Sequence, residues 1–337
     1  MRFFAALLAI VAACTATSGD NVNDSLILLV ANRSSHEVTF VDIERGVVLD
    51  RIATGEGPHL LSNVSDDRVL ATGYGEFPRP HEEPVSSRPP FVSVPNSRFT
   101  LIDVASRTVI LQGSFDACAK PHASWIVGPR AYVTCESERR LLVLHLGSAE
   151  VVEYFDTGQD GSHVLAFEPS TSTLAVSNTG SGSVTLFDLP GGNPTIVELA
   201  GGSEGLLAYA GRIWVSNALD GSVSVVDPGT AAVVQHIESV CGFPIAFGAG
   251  SQERMWIACF ASAELVAIDQ RKFVVSQRIK LRDMPLNLQL HPTQELAYVS
   301  LPRANAIAEI DLQTGEELRR IRVGIEPDGL RWATNRR

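Results

Sequence analysis

Much that would announce a chemistry is missing from these 337 residues. There is no C-x-x-C pair, no H-E-x-x-H, no Walker A loop and no G-x-G-x-x-G turn. Their absence excludes the local signatures of thiol-redox and zinc-ribbon sites, zinc peptidases, P-loop hydrolases and dinucleotide enzymes. No segment sustains the 3.6-residue hydrophobic period of an amphipathic helix, which excludes helical bundles and coiled coils. Positive charge is scarce: 27 Lys+Arg, only three of them Lys, face 38 Asp+Glu for a formal net charge of −11. A surface of that sign repels nucleic acid and anionic lipid unless a local basic patch overrides it. What is plentiful is apolar. Hydrophobic residues make up 45% of the chain and aromatics 7%, enough for a large core and too much for a disordered chain.

One apolar run stands apart, the 11 residues from Phe3 to Ala13, preceded by Arg2. It is too short to span a bilayer, which takes about 20 residues, and it fits the apolar region of a signal peptide. Its end, Val11-Ala12-Ala13-Cys14, resembles a bacterial lipobox. That resemblance implies cleavage before Cys14 and a lipid on Cys14. Residues 1–13 are then a signal peptide and 14–24 the lipidated Cys with a polar tether. Thr15 after the Cys, in place of Asp, implies an outer-membrane or surface destination.

The rest of the chain repeats. A short strand ending in Asp recurs at Asp42, Asp103, Asp188, Asp227, Asp269 and Asp311, with His145 in the one remaining slot. Successive anchors are 61, 42, 43, 39, 42 and 42 residues apart. Upstream of each lies a strand such as Ala131-Tyr132-Val133-Thr134-Cys135, and downstream another such as Val151-Val152-Glu153-Tyr154. A turn with Pro or Ser and a fourth strand follow. Four strands per unit of this length, seven times over, predict an all-β, seven-bladed β-propeller of four-stranded antiparallel blades over residues 25–334, with 335–337 as a tail. The innermost strand at Pro327–Trp332 lacks a blade and the strands near Leu26 lack an innermost partner. Pairing them closes the ring and hides both edges. The one long spacing contains a Pro-rich insertion, residues 75–97, with six prolines; it reads as a lid, a partner-binding arm or a decoration.

Ala131-Tyr132-Val133-Thr134, Gly182 to Asp188 and Gly221 to Asp227 resemble YVTN repeats, the seven-bladed propellers of surface-layer-like and YncE-like proteins. The resemblance covers roughly residues 25–334 and implies a fold more than an activity, because propellers host many functions.

Beyond Cys14 there are four cysteines. Cys118 and Cys241 each precede, by three residues, a Pro that opens an innermost strand; Cys135 and Cys259 each end the next, antiparallel strand. The register therefore predicts bridges Cys118–Cys135 and Cys241–Cys259, which belong outside the cytosol. Four buried free thiols are the alternative.

The residue after the opening Pro or Ser of each innermost strand forms a ring in register: His59, His122, His163, Glu204, Ile245, Leu286 and Asp328. Asp328 closes the ring beside His59. His59, His122 and His163 with nearby carboxylates suit Cu or Zn; the five polar positions equally suit an anionic or sugar-like ligand. In YVTN repeats a His at this turn can also simply bond the neighbouring blade. Glu136, Glu138, Arg139 and Arg140 read as solvated rim, and the register Asp residues and Asn178 and Asn217 as caps. Gly201 to Gly205 matches G-x-S-x-G, but a nucleophile elbow needs a strand before it and a helix after it.

These readings lead to a lipid-anchored envelope propeller, monomeric, binding a small ligand, glycan or envelope protein through the tunnel-mouth face. A metal or redox protein using the His ring is the first alternative. A hydrolase resembling the lactonase propellers is the second. The charge excludes nucleic acid as the expected partner.

Overall fold

The computed structural model describes residues 25–75, 98–115, 117, 118, 120–250 and 254–335. The signal peptide, Cys14, the tether, residues 76–97 of the insertion and residues 336 and 337 of the tail lie outside the described residues.

Among the described residues, seven four-stranded antiparallel sheets form the architecture, with two single-turn 3-10 helices, Glu136–Glu138 and Pro302–Ala304, between strands. Their innermost strands are Pro327–Asn335 (blade 1), Pro58–Ser65 (blade 2), Pro121–Val127 (blade 3), Ser162–Glu168 (blade 4), Ser203–Tyr209 (blade 5), Pro244–Ala249 (blade 6) and Asn287–Leu290 (blade 7). Each touches the next around a closed circle. Blade 1 is composite: Pro327–Asn335 pairs with Ser25–Asn32 in the register Leu28↔Trp332, Leu29↔Arg331, Val30↔Leu330. The ring closes as the unpaired edges predicted.

The apolar character of both faces of a strand follows from the stacking of blades. Leu29 packs with Val69, Ala71 and Ile102 of blade 2. Its neighbours Leu28 and Val30 pack with Tyr298 and Ile307 of blade 7. Alternate residues of one strand thus feed two different cores. Only the outermost strands lose this pattern: Thr108–Ser114 is exposed almost throughout.

The register aspartates hold turns. Asp42 accepts from the Arg45 N–H at 2.9 Å, Asp103 from Ser106 at 2.8 Å, Asp269 from Lys272 at 2.9 Å and Asp311 from Thr314 at 2.8 Å. His145 substitutes as expected, its Nδ1 accepting from the Ser148 N–H at 3.3 Å. Asn178 and Asn217 donate to Ser183 and Ser222 across their own hairpins.

Both disulfides form as the register predicts, Cys118–Cys135 and Cys241–Cys259. Each ties the connection entering an innermost strand to the end of the second strand, beside the pairs Pro121↔Cys135 and Pro244↔Cys259.

Candidate functional site

Local backbone geometry aims the ring residues. The position two before each of them is left-handed in six blades: Gly57, Lys120, Gly161, Gly202, Phe243 and Glu326 have φ between 54° and 74°. At Gly57 a side chain is impossible, since a Cβ would lie 2.1 Å from the Gly75 carbonyl oxygen. The innermost strand then bulges, with pairing to the second strand interrupted between Pro58 and Leu61, Pro121 and Ser124, Ser162 and Leu165, and Ser203 and Leu206. A bulge re-aims the side chains within it. His59, His122, His163 and Glu204 sit in these bulges.

The result is an unbroken arc of touching side chains across five blades. Asp328 Oδ2 is 3.1 Å from His59 Nδ1. The His59 and His122 ring centroids are 4.1 Å apart, and those of His122 and His163 3.6 Å. His163 Nε2 lies 3.7 Å from Glu204 Oε1, and its Nδ1 3.4 Å from the Glu204 carbonyl oxygen. All five polar ring residues are thus brought together. Ile245 and Leu286 occupy the same register on the two remaining innermost segments.

Two further residues complete the cluster. Tyr74, the last side chain before the insertion, packs edge-on against both His59 and His122, with centroids 5.3 and 5.5 Å away. Its hydroxyl donates to Glu136 Oε1 at 2.9 Å. Donor atoms of His122, His163 and Glu136 all lie within 4.8 Å of one another. Glu136 is therefore not solvated rim: it follows Cys135 directly, and the bridge to Cys118 and the 3.4 Å bond from its N–H to the Lys120 carbonyl draw it toward His122. The pattern Cys135-Glu136, set against Cys118 to His122, was the available signal. Tyr74 carried none.

Burial decides the charge state. His59 and His122 are held well below the usual histidine range, first by desolvation and then by the positive charge of Arg33 and of neighbouring imidazoles. Both are neutral at neutral pH and offer a lone pair. Burial pushes the Asp328 carboxyl up to about 6, against the opposing pull of Arg33, whose Nε is 3.5 Å away. Burial, with Glu136 beside it, also raises the Tyr74 hydroxyl, which stays a donor.

The donor set fits a borderline metal ion. His122 Nδ1 is buried and has no hydrogen-bond partner among the described residues. In the tautomer whose Nδ1–H donates to the Glu204 carbonyl, His163 Nε2 keeps the lone pair, the usual arrangement of a metal-ligating histidine. Ligand atoms around zinc, bound at about 2.0–2.2 Å, stand roughly 3.3 Å apart, so side-chain shifts of about 1 Å suffice. A second group of donor type, Cys118, Cys135 and Glu138, is closed off by the disulfide.

Fold and site together define a seven-bladed, all-β propeller with a polar arc at its tunnel mouth. Solved structures share that fold at low identity. AztD of Citrobacter koseri has a TM-score of 0.66 at 14% identity, covering 92% of this chain and 98% of that one. Hydrazine synthase of Kuenenia stuttgartiensis gives 0.70 at 15%, covering 89% and 99%. A functionally unknown protein of Desulfotomaculum acetoxidans gives 0.72 at 10%, covering 91% and 98%. At these identities the likeness is one of fold alone. No family model matches the chain, and no curated protein matches it in sequence.

Proposed function

We propose that this protein binds a divalent transition metal, Zn2+ or Cu2+, at the mouth of its propeller tunnel, with His122, His163 and Glu136 as ligands. The observation that carries the reading is that a ring nitrogen of His122, a ring nitrogen of His163 and a carboxylate oxygen of Glu136 lie within 4.8 Å of one another, on a His122 ring whose Nδ1 is buried and unbonded among the described residues. Such an atom costs about 1–3 kcal/mol if nothing meets it. An ion fits the spacing better than a glycan does. Imidazoles with centroids 3.6 and 4.1 Å apart are in van der Waals contact and leave no gap for a sugar ring.

Elemental analysis and a competition titration on untagged protein test this. The native chain should take up one equivalent of Zn2+ or Cu2+, and the His122→Ala/His163→Ala variant should not. Equal metal content in the two, or none in either after reconstitution, returns the tunnel mouth to the role of an organic-ligand or partner-binding face.

Tyr74 holds one Glu136 oxygen and leaves the other for the ion. Tyr74→Phe removes that bond and keeps the ring, so affinity should fall about 10- to 100-fold, the usual cost of losing a ligand's outer partner. An unchanged titration curve takes Tyr74 out of the account.

The envelope location is part of the same proposal: the propeller is monomeric and held to the membrane by a lipid on Cys14. Two disulfides support an oxidising compartment. Labelled palmitate should be incorporated by the native chain and not by Cys14→Ser; labelling of both would remove the anchor.

A further inference from the structure

The two bridges stand in the same register of blades 3 and 6, and their surroundings differ. Three residues beyond Cys135 lies Glu138; three beyond Cys259 lies Ser262. Glu138 ends the single-turn helix Glu136–Glu138, which follows Cys135 directly. That turn brings a Glu138 carboxylate oxygen within 4.8 Å of both sulfurs of Cys118–Cys135. Glu138 Oε2 is shut off from solvent, and both cysteines are buried. The pair shares an apolar core with Leu70, Phe99 and Phe115. Among the described residues no such trio of donors forms at Cys241–Cys259.

While the bridge is closed these atoms hold nothing, because the thiolate, not the disulfide, is the metal ligand. We propose that reduction of Cys118–Cys135 by a dithiol opens a second metal site, in which both thiolates and the Glu138 carboxylate hold a Zn2+ ion. The step balances. The dithiol gives two electrons and two protons, the S–S bond breaks, Cys118 and Cys135 become thiols, and the donor leaves as a disulfide. Each thiol then releases its proton to water as its sulfur takes the ion. A carboxylate beside two sulfurs opposes their ionisation until a cation lies between them, so thiolate formation and metal binding go together. Two thiolates and a carboxylate leave the fourth tetrahedral position to a water. Sulfurs bound to zinc at about 2.3 Å stand about 3.8 Å apart. The Cα atoms of the pair are 5.0 Å apart, so side-chain rotation supplies that spacing. The site uses none of His122, His163 and Glu136 and does not depend on the metal proposed above.

The test reduces the full chain anaerobically with a phosphine, removes the phosphine and titrates with Co2+, a spectroscopic stand-in for Zn2+. Thiolate-to-cobalt absorption in the near ultraviolet should grow to one equivalent, and Zn2+ should bleach it; the oxidised chain should show none. Cys118→Ser/Cys135→Ser should abolish the band, and Cys241→Ser/Cys259→Ser should keep it. Glu138→Gln keeps both thiols and should bind about tenfold or more weakly, no less than the loss of a ligand's outer partner costs. Circular dichroism of each sample follows the propeller itself. The proposal is overturned if the reduced chain gives no band, if the two cysteine-pair variants give equal bands, if Glu138→Gln binds as tightly as the native chain, or if reduction unfolds the chain whether or not metal is present. The His122→Ala/His163→Ala variant should keep the band in full. Its loss there would put the ion at the mouth and end this proposal, leaving the metal reading above to its own experiment.

Discussion

A chain ending at Glu326 does not fold. The eleven residues it lacks include the whole innermost strand of blade 1. Without that strand, Ser25–Asn32 loses its partner along one edge. Leu28 and Val30, now fully buried, lose Leu330 and Trp332 from their shared core. Burial of a large apolar side chain is worth about 1.5–3 kcal/mol. Four such side chains reach the entire stability of an ordinary domain, about 5–15 kcal/mol. The open edge adds a template for aggregation. The truncated protein should be insoluble, or lack a cooperative melt by circular dichroism. A soluble monomer with the native β-signal and melting point would show that the ring does not need its closure. A milder probe of the same seam is Gly329→Val. A Cβ there lies 2.3 Å from the His59 carbonyl oxygen and 2.9 Å from Leu60 Cα, so blades 1 and 2 must move apart.

The second large effect separates two bridges that look alike. They close loops of 17 and 18 residues, and removing either should cost about 3 kcal/mol, a fall in melting temperature of about 5–10 °C. Their consequences at the tunnel mouth should differ. Cys118–Cys135 clamps the backbone on both sides of the cluster: His122 follows Pro121, and Glu136 follows Cys135. Cys241–Cys259 clamps the equivalent place in blade 6, where the ring residue is Ile245. Cys118→Ser/Cys135→Ser should therefore lower metal affinity at least tenfold, and Cys241→Ser/Cys259→Ser should leave it unchanged. Melting curves and chelator competition on the two double variants read both quantities. Equal loss of affinity in both would mean that the bridges act on stability alone.

Architecture was legible in the sequence because it is periodic. Anchors such as Asp227 and Asp269 repeat a local geometry, and a one-dimensional period carries local geometry well. The ring of His59, His122, His163, Glu204 and Asp328 was legible for the same reason, as one register position in successive blades. The inward aim of those side chains was not. It comes from bulges such as Pro58 to Leu61, which no residue type marks unambiguously. Glu136 and Tyr74 were out of reach for another reason. They occupy turns between second and third strands of different blades, and only the stacking of blade 2 on blade 3 brings the Tyr74 hydroxyl to the Glu136 carboxylate.

The composite first blade also fixes a schedule. A polypeptide threads out of the ribosome, and out of any export channel, from its amino end. His59, His122 and His163 have all emerged when most of blades 5 to 7 are still to come. Asp328, which touches His59, belongs to the strand that closes the ring. An unfinished or clipped chain can display the three imidazoles but not the carboxyl that meets the first of them, and its ring stays open. The finished arc of side chains therefore certifies that the polypeptide has been delivered at least as far as Asp328.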